Sequence, residues 1–80
     1  MQTSKIRQMS KYHGFGFIKS NNGKDFFFRR TDIRGVSFHL LEEGQSVKFN
    51  VGWGSKGFQA RNVELIKEEV KNVLEKENSN

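Results

Sequence analysis

Apolar and polar residues alternate in residues 15–19 and 46–51, and this period of two predicts short β-strands. Residues 5–11 are mixed and residues 25–29 are dense in aromatics, both consistent with further strands. The candidate strands are residues 5–11, 15–19, 25–29, 46–51 and 58–63. The Asn22-Gly23 pair between the second and third strands is typical of a hairpin turn. Residues 30–41 lack a clean period, so we interpret them as a long loop with one helical turn, and we expect a glycine-rich loop over residues 52–57. Five strands without an intervening helix predict an all-β fold, a small antiparallel barrel or sandwich.

The end of the chain has a different period, that of an amphipathic helix. Its apolar residues fall at i, i+4, i+7 and i+8, namely Ile66, Val70, Val73 and Leu74. Asn62 is a candidate N-cap, with Glu64 in the first helical turn. We therefore predict a barrel over residues 1–64 and a tail over residues 65–80 that forms a short C-terminal α-helix and ends in disorder. Because such short helices are marginal alone in water, the apolar stripe needs a surface, and self-association through the helix is one expectation.

The second and third strands carry an unusual density of phenylalanine. Side chains alternate across a strand, so if Ile18, Phe26 and Phe28 point inward, the opposite face presents Phe15, Phe17, Phe27 and Arg29. Bases stack on aromatic faces while basic side chains follow the phosphates, and this combination is typical of single-strand binding surfaces. The alternative is that these phenylalanines form a core on both faces of buried strands. Trp53, between two glycines, is expected to be exposed and is a further candidate contact.

The charge distribution favours a polyanionic partner. Up to Val63 the chain has eleven Lys and Arg against four Asp and Glu, a net charge of +7, whereas the remainder has −2. The chain has no cysteine and no long apolar run, so we expect no disulfide, no membrane span, no secretory leader and a cytoplasmic location. His13 and His39 lack metal-type neighbours and no acidic pair has catalytic spacing. We therefore predict no metal, no cofactor, no small-molecule substrate and no enzymatic activity.

Four motifs, in order, resemble those of the bacterial cold-shock protein family. The first motif, HGFGFI (13–18), is similar to the family's KGFGFI, and the second, DFFFR (25–29), is similar to DVFVH. The third, LEEGQSVKF (41–49), matches LxEGQxVxF, and the fourth, GFQARNV (57–63), resembles GPQAxNV. The resemblance covers the chain from about Ser4 to Val63. It implies a five-stranded OB-type barrel that binds single-stranded RNA or DNA with low sequence specificity, in the role of an RNA chaperone.

The resemblance also implies an interface. It assigns base stacking to Phe15, Phe17, Phe27 and Phe38, and basic contacts to Arg7 and Lys56. The complete predicted set is Arg7, His13, Phe15, Phe17, Phe27, Arg29, Arg30, Phe38 and Lys56.

This chain departs from the family pattern at several of these positions. Gln8, Met9 and Arg30 stand where aromatic residues are usual, Arg29 stands for a histidine and His13 for a lysine. Larger Phe26 and Phe28 replace branched residues, and Phe58 replaces a proline. Since stacking faces have been lost, the alternative is a protein–protein interaction module on a cold-shock-like barrel with weakened base binding.

Overall fold

The computed structural model describes residues 1–66, and these residues form a closed barrel with the strand order β1-β2-β3-β5-β4. The strands are β1 (Gln2–Ser10), β2 (Phe15–Ile18), β3 (Phe26–Arg29), β4 (Ser46–Gly54) and β5 (Gly57–Leu65). Two 3-10 helices lie in the segment between β3 and β4, at Arg30–Asp32 and Phe38–Leu40. The predicted all-β, five-stranded barrel is confirmed, and no helix in this part of the chain is long and apolar enough to cross a membrane.

The pairing is mixed, so the prediction of a purely antiparallel sheet is wrong. Four neighbouring pairs are antiparallel, but β3 runs parallel to β5, with Phe27 opposite Gln59. A second parallel bridge joins Ile33 to Val63. The reason is topological: a closed ring with an odd number of strands cannot alternate direction all the way round, so at least one pair must be parallel.

The predicted glycine-rich loop is instead the end of a long hairpin. Strands β4 and β5 stay paired as far as Gly54 and Gly57, so that only Ser55 and Lys56 lie between them. Side chains of β5 occupy the space over the β4 glycines, because a Cβ added at Gly52 would lie 2.7 Å from Arg61 Nε. Gly57 has φ +102°, which an L side chain rarely adopts, and so permits the tight turn. Glycine here makes room for cross-strand side chains rather than ending the strands.

The predicted start of the C-terminal helix is also wrong. Strand β5 continues to Leu65, and the Ile66 N–H donates to the Ser46 carbonyl at 3.0 Å. Asn62, the candidate N-cap, lies inside β5 with φ +54°, and its Oδ1 accepts a hydrogen bond from Arg34 Nε at 3.1 Å. The rest of the predicted helix, and the self-association expected of it, fall on residues 67–80, outside the described residues.

The barrel interior is built from the side chains that the alternation pattern assigns to it. Ile18, Phe26 and Phe28 all point inward and are at most 9% exposed. The large Phe28 is accommodated because its partner on β2 is Gly16, where an added Cβ would lie 2.7 Å from the Phe28 ring. With Phe28 and Phe26 filling the interior, the remaining phenylalanines of β2 and β3 face outward.

Candidate nucleic-acid interface

Three phenylalanine rings lie side by side on the outer face of β2 and β3. Phe17 is paired directly with Phe27, and Phe15 lies one pleat along β2. The ring centroids are separated by 6.1 Å between Phe15 and Phe17, 5.8 Å between Phe15 and Phe27, and 5.6 Å between Phe17 and Phe27. These distances fall within the ~4.5–7 Å range of favourable aromatic pairs. Phe15 and Phe17 are half-buried, so each retains surface that a planar ligand can reach.

The aromatic surface continues from Phe15 into the turn after β1. The His13 ring lies 5.9 Å from Phe15, and Tyr12 packs edge-on against His13 at 5.0 Å. His13 is held in place by Ser10, whose Oγ lies 2.9 Å from its Nδ1 and accepts a hydrogen bond from its backbone N–H. Tyr12 is 91% exposed and is absent from the predicted set, although its position beside His13 was a signal that could have indicated it. We call Tyr12, His13, Phe15, Phe17 and Phe27 the outer aromatic row.

Phe27 faces outward but is only 9% exposed. Besides its two phenylalanine neighbours, the guanidinium carbon of Arg29 lies 5.9 Å from its ring centroid, and Lys56 Nζ lies at 5.8 Å. Both distances are within the ~6 Å reach of a cation–π contact. Long basic side chains therefore cover this ring, and a base that stacks on Phe27 must first displace one of them.

The basic residues of the predicted set differ in how free their charges are. Arg7 is bound to Asp25, with Nε 2.6 Å from Oδ2, so much of its charge is already neutralised. Arg30 lies over Phe38 at 5.8 Å and against Gly14, where an added Cβ would meet its guanidinium at 2.8 Å. Within residues 1–66, no carboxylate forms an ion pair with Arg29, Arg30 or Lys56. Among the described residues, these three charges are therefore not neutralised by a carboxylate.

Comparison with known proteins identifies the family. The family model described as "'Cold-shock' DNA-binding domain" matches residues 2–66. The chain belongs to the cold-shock domain family. It is 44% identical over 63 residues to "Cold shock-like protein CspD" of Bacillus cereus, covering 79% of this chain and 96% of the relative. Identity to "Cold shock protein CspB" of Bacillus caldolyticus is 43%, with the same coverage.

The fold of this cold-shock domain is also found in a solved structure titled "drosophila Unr CSD456". The two superpose with a TM-score of 0.66 at 21% identity, over 81% of this chain and 26% of that chain. The resemblance of the sequence to the cold-shock family is therefore confirmed. Single-stranded nucleic-acid binding, predicted from the pattern of aromatic and basic residues, is confirmed as the function of the family to which the chain belongs.

The structure does not bring Phe38 into the outer aromatic row of this cold-shock domain. Phe38 is 3% exposed, belongs to the hydrophobic core, and lies 6.1 Å from Phe28. The guanidinium carbon of Arg30 lies 5.8 Å from its ring centroid. The expected stacking role is at odds with this burial, because a base cannot reach the ring while the core packs against it and a guanidinium lies over it.

Two of the departures from the family pattern, Gln8 and Arg30, replace aromatic side chains with polar ones. Gln8 is paired with Phe17 and is exposed, so it presents an amide beside that ring where an aromatic is usual. Arg30 provides a guanidinium where the family has another aromatic. Among residues 1–66, no three His, Asp or Glu side chains come together as a metal site. The chemistry available at this surface is stacking, hydrogen bonding and attraction of anions.

Proposed function

We propose that this cold-shock domain binds single-stranded RNA or DNA by stacking bases on the outer aromatic row while Arg29, Arg30 and Lys56 contact phosphates. The observation that carries the proposal is the cluster of Phe15, Phe17 and Phe27, which lie within 6.1 Å of one another on the outside of the barrel. Phe15 and Phe17 are half-buried and keep part of their apolar surface in water. Their grouping beside Arg29, Arg30 and Lys56, which form no ion pair with a carboxylate of residues 1–66, fits a ligand that is both planar and anionic.

Low sequence specificity follows from the kind of contact. Every base has a π-face, so stacking on phenylalanine tolerates all four bases, and phosphate contacts carry no sequence information. A domain that binds only unpaired strands shifts the equilibrium of a nucleic acid towards its unpaired state, by the same mass action through which any ligand stabilises the state it binds. This is the physical basis of the RNA-chaperone role that we propose, along with a non-catalytic function and a cytoplasmic location.

A protein–protein interaction module is the second candidate. Gln8 and Arg30 stand where stacking residues are usual, and Phe38 is withdrawn into the core, so fewer rings are presented than the family pattern suggests. Under this alternative, the outer aromatic row would contact a protein and would bind oligonucleotides only weakly.

The test of the proposal is Phe17→Ala, with Phe27→Ala beside it. Loss of one stacked base weakens single-strand binding by ~1–3 kcal/mol, roughly 5- to 140-fold in Kd. Binding is measured by fluorescence anisotropy of labelled oligo-dT and oligo-U. Phe17 is half-buried and lies outside the core cluster, so Phe17→Ala should keep the far-UV circular dichroism of the wild type. Phe27 is 9% exposed, so Phe27→Ala loses more packing, and its fold is checked by the same measurement before its affinity is compared.

Leu40→Ala is the matched control, because Leu40 is also a large apolar side chain at the surface, 69% exposed, but lies outside the outer aromatic row. We expect its affinity to equal that of the wild type. If the phenylalanine variants are folded and bind as tightly as Leu40→Ala, bases do not stack on this surface. If the wild type itself fails to bind oligonucleotides, the protein–protein alternative is favoured.

A further inference from the structure

A second exposed aromatic site lies on the β4–β5 hairpin, apart from the outer aromatic row. Trp53 is 71% exposed, although it is paired with Phe58 across the hairpin. The two rings meet edge to face, with centroids 5.1 Å apart, and Phe58 in turn packs 6.0 Å from Phe26 of the core. The indole is therefore supported from below by the barrel while most of its surface stays in water.

Basic side chains border this indole. Lys24 and Lys56 line the same recess as Trp53 and Phe58, which we call the Trp53 recess. Asp25 also contributes to the lining, but its carboxylate is bound to Arg7 at 2.6 Å, so the charge balance of the recess stays positive. An anionic ligand with a planar group is the chemistry that fits such a site.

The Trp53 recess is continuous with the outer aromatic row through Lys56. Lys56 lies in the two-residue turn of the hairpin, with Nζ 5.8 Å from the Phe27 ring. Together with Gly57 and Phe58 it lines both the Trp53 recess and a neighbouring recess formed by Phe27 and Arg29. A single-stranded nucleic acid whose bases stack along the outer aromatic row and whose backbone reaches Lys56 therefore arrives at the edge of the Trp53 indole.

We propose that the single-strand interface extends beyond Lys56 onto Trp53, which stacks one additional base while Lys24 and Lys56 contact the adjoining phosphates. This inference rests on the proposed function, because the occupant is the same strand that crosses the outer aromatic row. A second copy of the chain is the weaker choice, because the recess and the barrel as a whole are both basic and like charges repel. The added ring offsets the stacking faces absent at Gln8 and Arg30.

The first experiment needs no variant, because Trp53 is the only tryptophan in the chain. Acrylamide quenching of its fluorescence is measured in the free protein and in complexes saturated with oligo-dT of about three and about nine nucleotides. OB folds occupy ~4–16 nucleotides, so only the longer oligonucleotide can cover the row and the recess together. We expect it to protect Trp53 strongly. Equal quenching in the free protein and in the long complex would overturn the proposal, as would protection that rises with protein concentration in the absence of nucleic acid.

The second experiment compares Trp53→Leu with Trp53→Phe. Leucine keeps an apolar contact with Phe58 but has no ring, whereas phenylalanine keeps a stacking face. For the nine-nucleotide oligo-dT, we expect Trp53→Leu to raise Kd roughly 5- to 140-fold and Trp53→Phe to recover most of that loss. For the three-nucleotide oligo-dT, both variants should resemble the wild type.

Phe27→Ala separates this inference from the proposed function on which it rests. If Phe27→Ala weakens binding of both lengths and Trp53→Leu weakens neither, strands bind at the row and the extension to Trp53 is wrong. If Phe27→Ala has no effect on either length, the proposed function fails independently of Trp53.

Discussion

The close approach of Gly16 and Phe28 predicts a strong energetic coupling between these two positions. A Cβ at Gly16 would lie 2.7 Å from the Phe28 ring on one side and 2.7 Å from the Gln8 carbonyl oxygen on the other. The ring is completely buried and the carbonyl belongs to β1, which is paired with β2. Neither neighbour can move freely, so Gly16→Ala should lower the free energy of unfolding by ~1–3 kcal/mol, the usual range for overpacking a core.

Phe28→Val, which returns the position to a smaller branched residue, should also destabilise the barrel. We expect a loss of roughly 2–4 kcal/mol, below the ~3–5 kcal/mol of a Phe→Ala change because valine keeps part of the packing. In the double variant, the new methyl group at residue 16 occupies space that the ring has vacated. The two losses should therefore be less than additive, by ~0.5–3 kcal/mol, as is usual for residues in contact.

The measurement is urea unfolding of the four proteins, followed by far-UV circular dichroism. Each 1 kcal/mol should also shift Tm by ~4–8 °C in a domain of this size. A small barrel has only a few kcal/mol of stability, so the variants are compared in a stabilising osmolyte if a single change unfolds them. If the losses in free energy of unfolding for Gly16→Ala and Phe28→Val add up in the double variant within ~0.5 kcal/mol, the Gln8 carbonyl, and not the Phe28 ring, excludes a side chain at residue 16.

Two further predictions concern charge and hydrogen bonding. In the Arg29→His, Arg30→Phe double variant, the slope of log Kd for oligo-dT against log salt concentration should be shallower by about 1.4, because each phosphate contact on a single strand adds ~0.7. The double variant should also distinguish oligo-dT from oligo-dA more strongly than the wild type does. Lys48→Gln is the control: the Lys48 ammonium is already paired with Glu64, so this variant should keep the wild-type slope. If the slope is unchanged in the double variant, Arg29 and Arg30 do not contact phosphates. Asp32 Oδ2 accepts hydrogen bonds from the Arg29 N–H at 2.9 Å and from buried Gln59 at 3.3 Å, so Asp32→Ala should cost ~1–3 kcal/mol in urea unfolding. Asp32→Asn retains an acceptor and should cost less, and equal losses would argue against this role for the hydrogen bonds.

The faces of β2 and β3 could be predicted from the sequence because they depend only on local geometry. Alternation in a strand places Phe26 and Phe28 on one side and Phe27 on the other, whatever the rest of the chain does. The burial of Phe38 could not be predicted in this way. It lies in a segment without periodicity, and whether its ring meets solvent or core depends on how that segment folds over Phe28.

The full length of the β4–β5 hairpin could not be predicted, for a different reason. Glycine ordinarily indicates a loop, yet Gly52 and Gly54 lie in a strand because side chains from β5 need the space above them. The exposure of Trp53 was predicted correctly, but its support by Phe58 depends on cross-strand pairing that the loop interpretation had removed. A parallel pair such as β3–β5 could be predicted, because a closed barrel with five strands must contain at least one parallel pair.

That parallel pair is the seam at which the barrel closes, and it is short. Strands β3 and β5 are in register at Phe27 and Gln59, whereas β4 and β5 are paired along almost their whole length. Amide hydrogens along a short seam are expected to exchange with solvent through local opening, at a lower free energy than global unfolding. Phe27 lies on one side of the seam, and Lys56, at the turn that leads into β5, reaches its ring from the other. A nucleic acid bound to both Phe27 and Lys56 would bridge the β3–β5 pair and raise the free energy needed to open it, so nucleic-acid binding and local opening of the barrel are linked through one pair of strands.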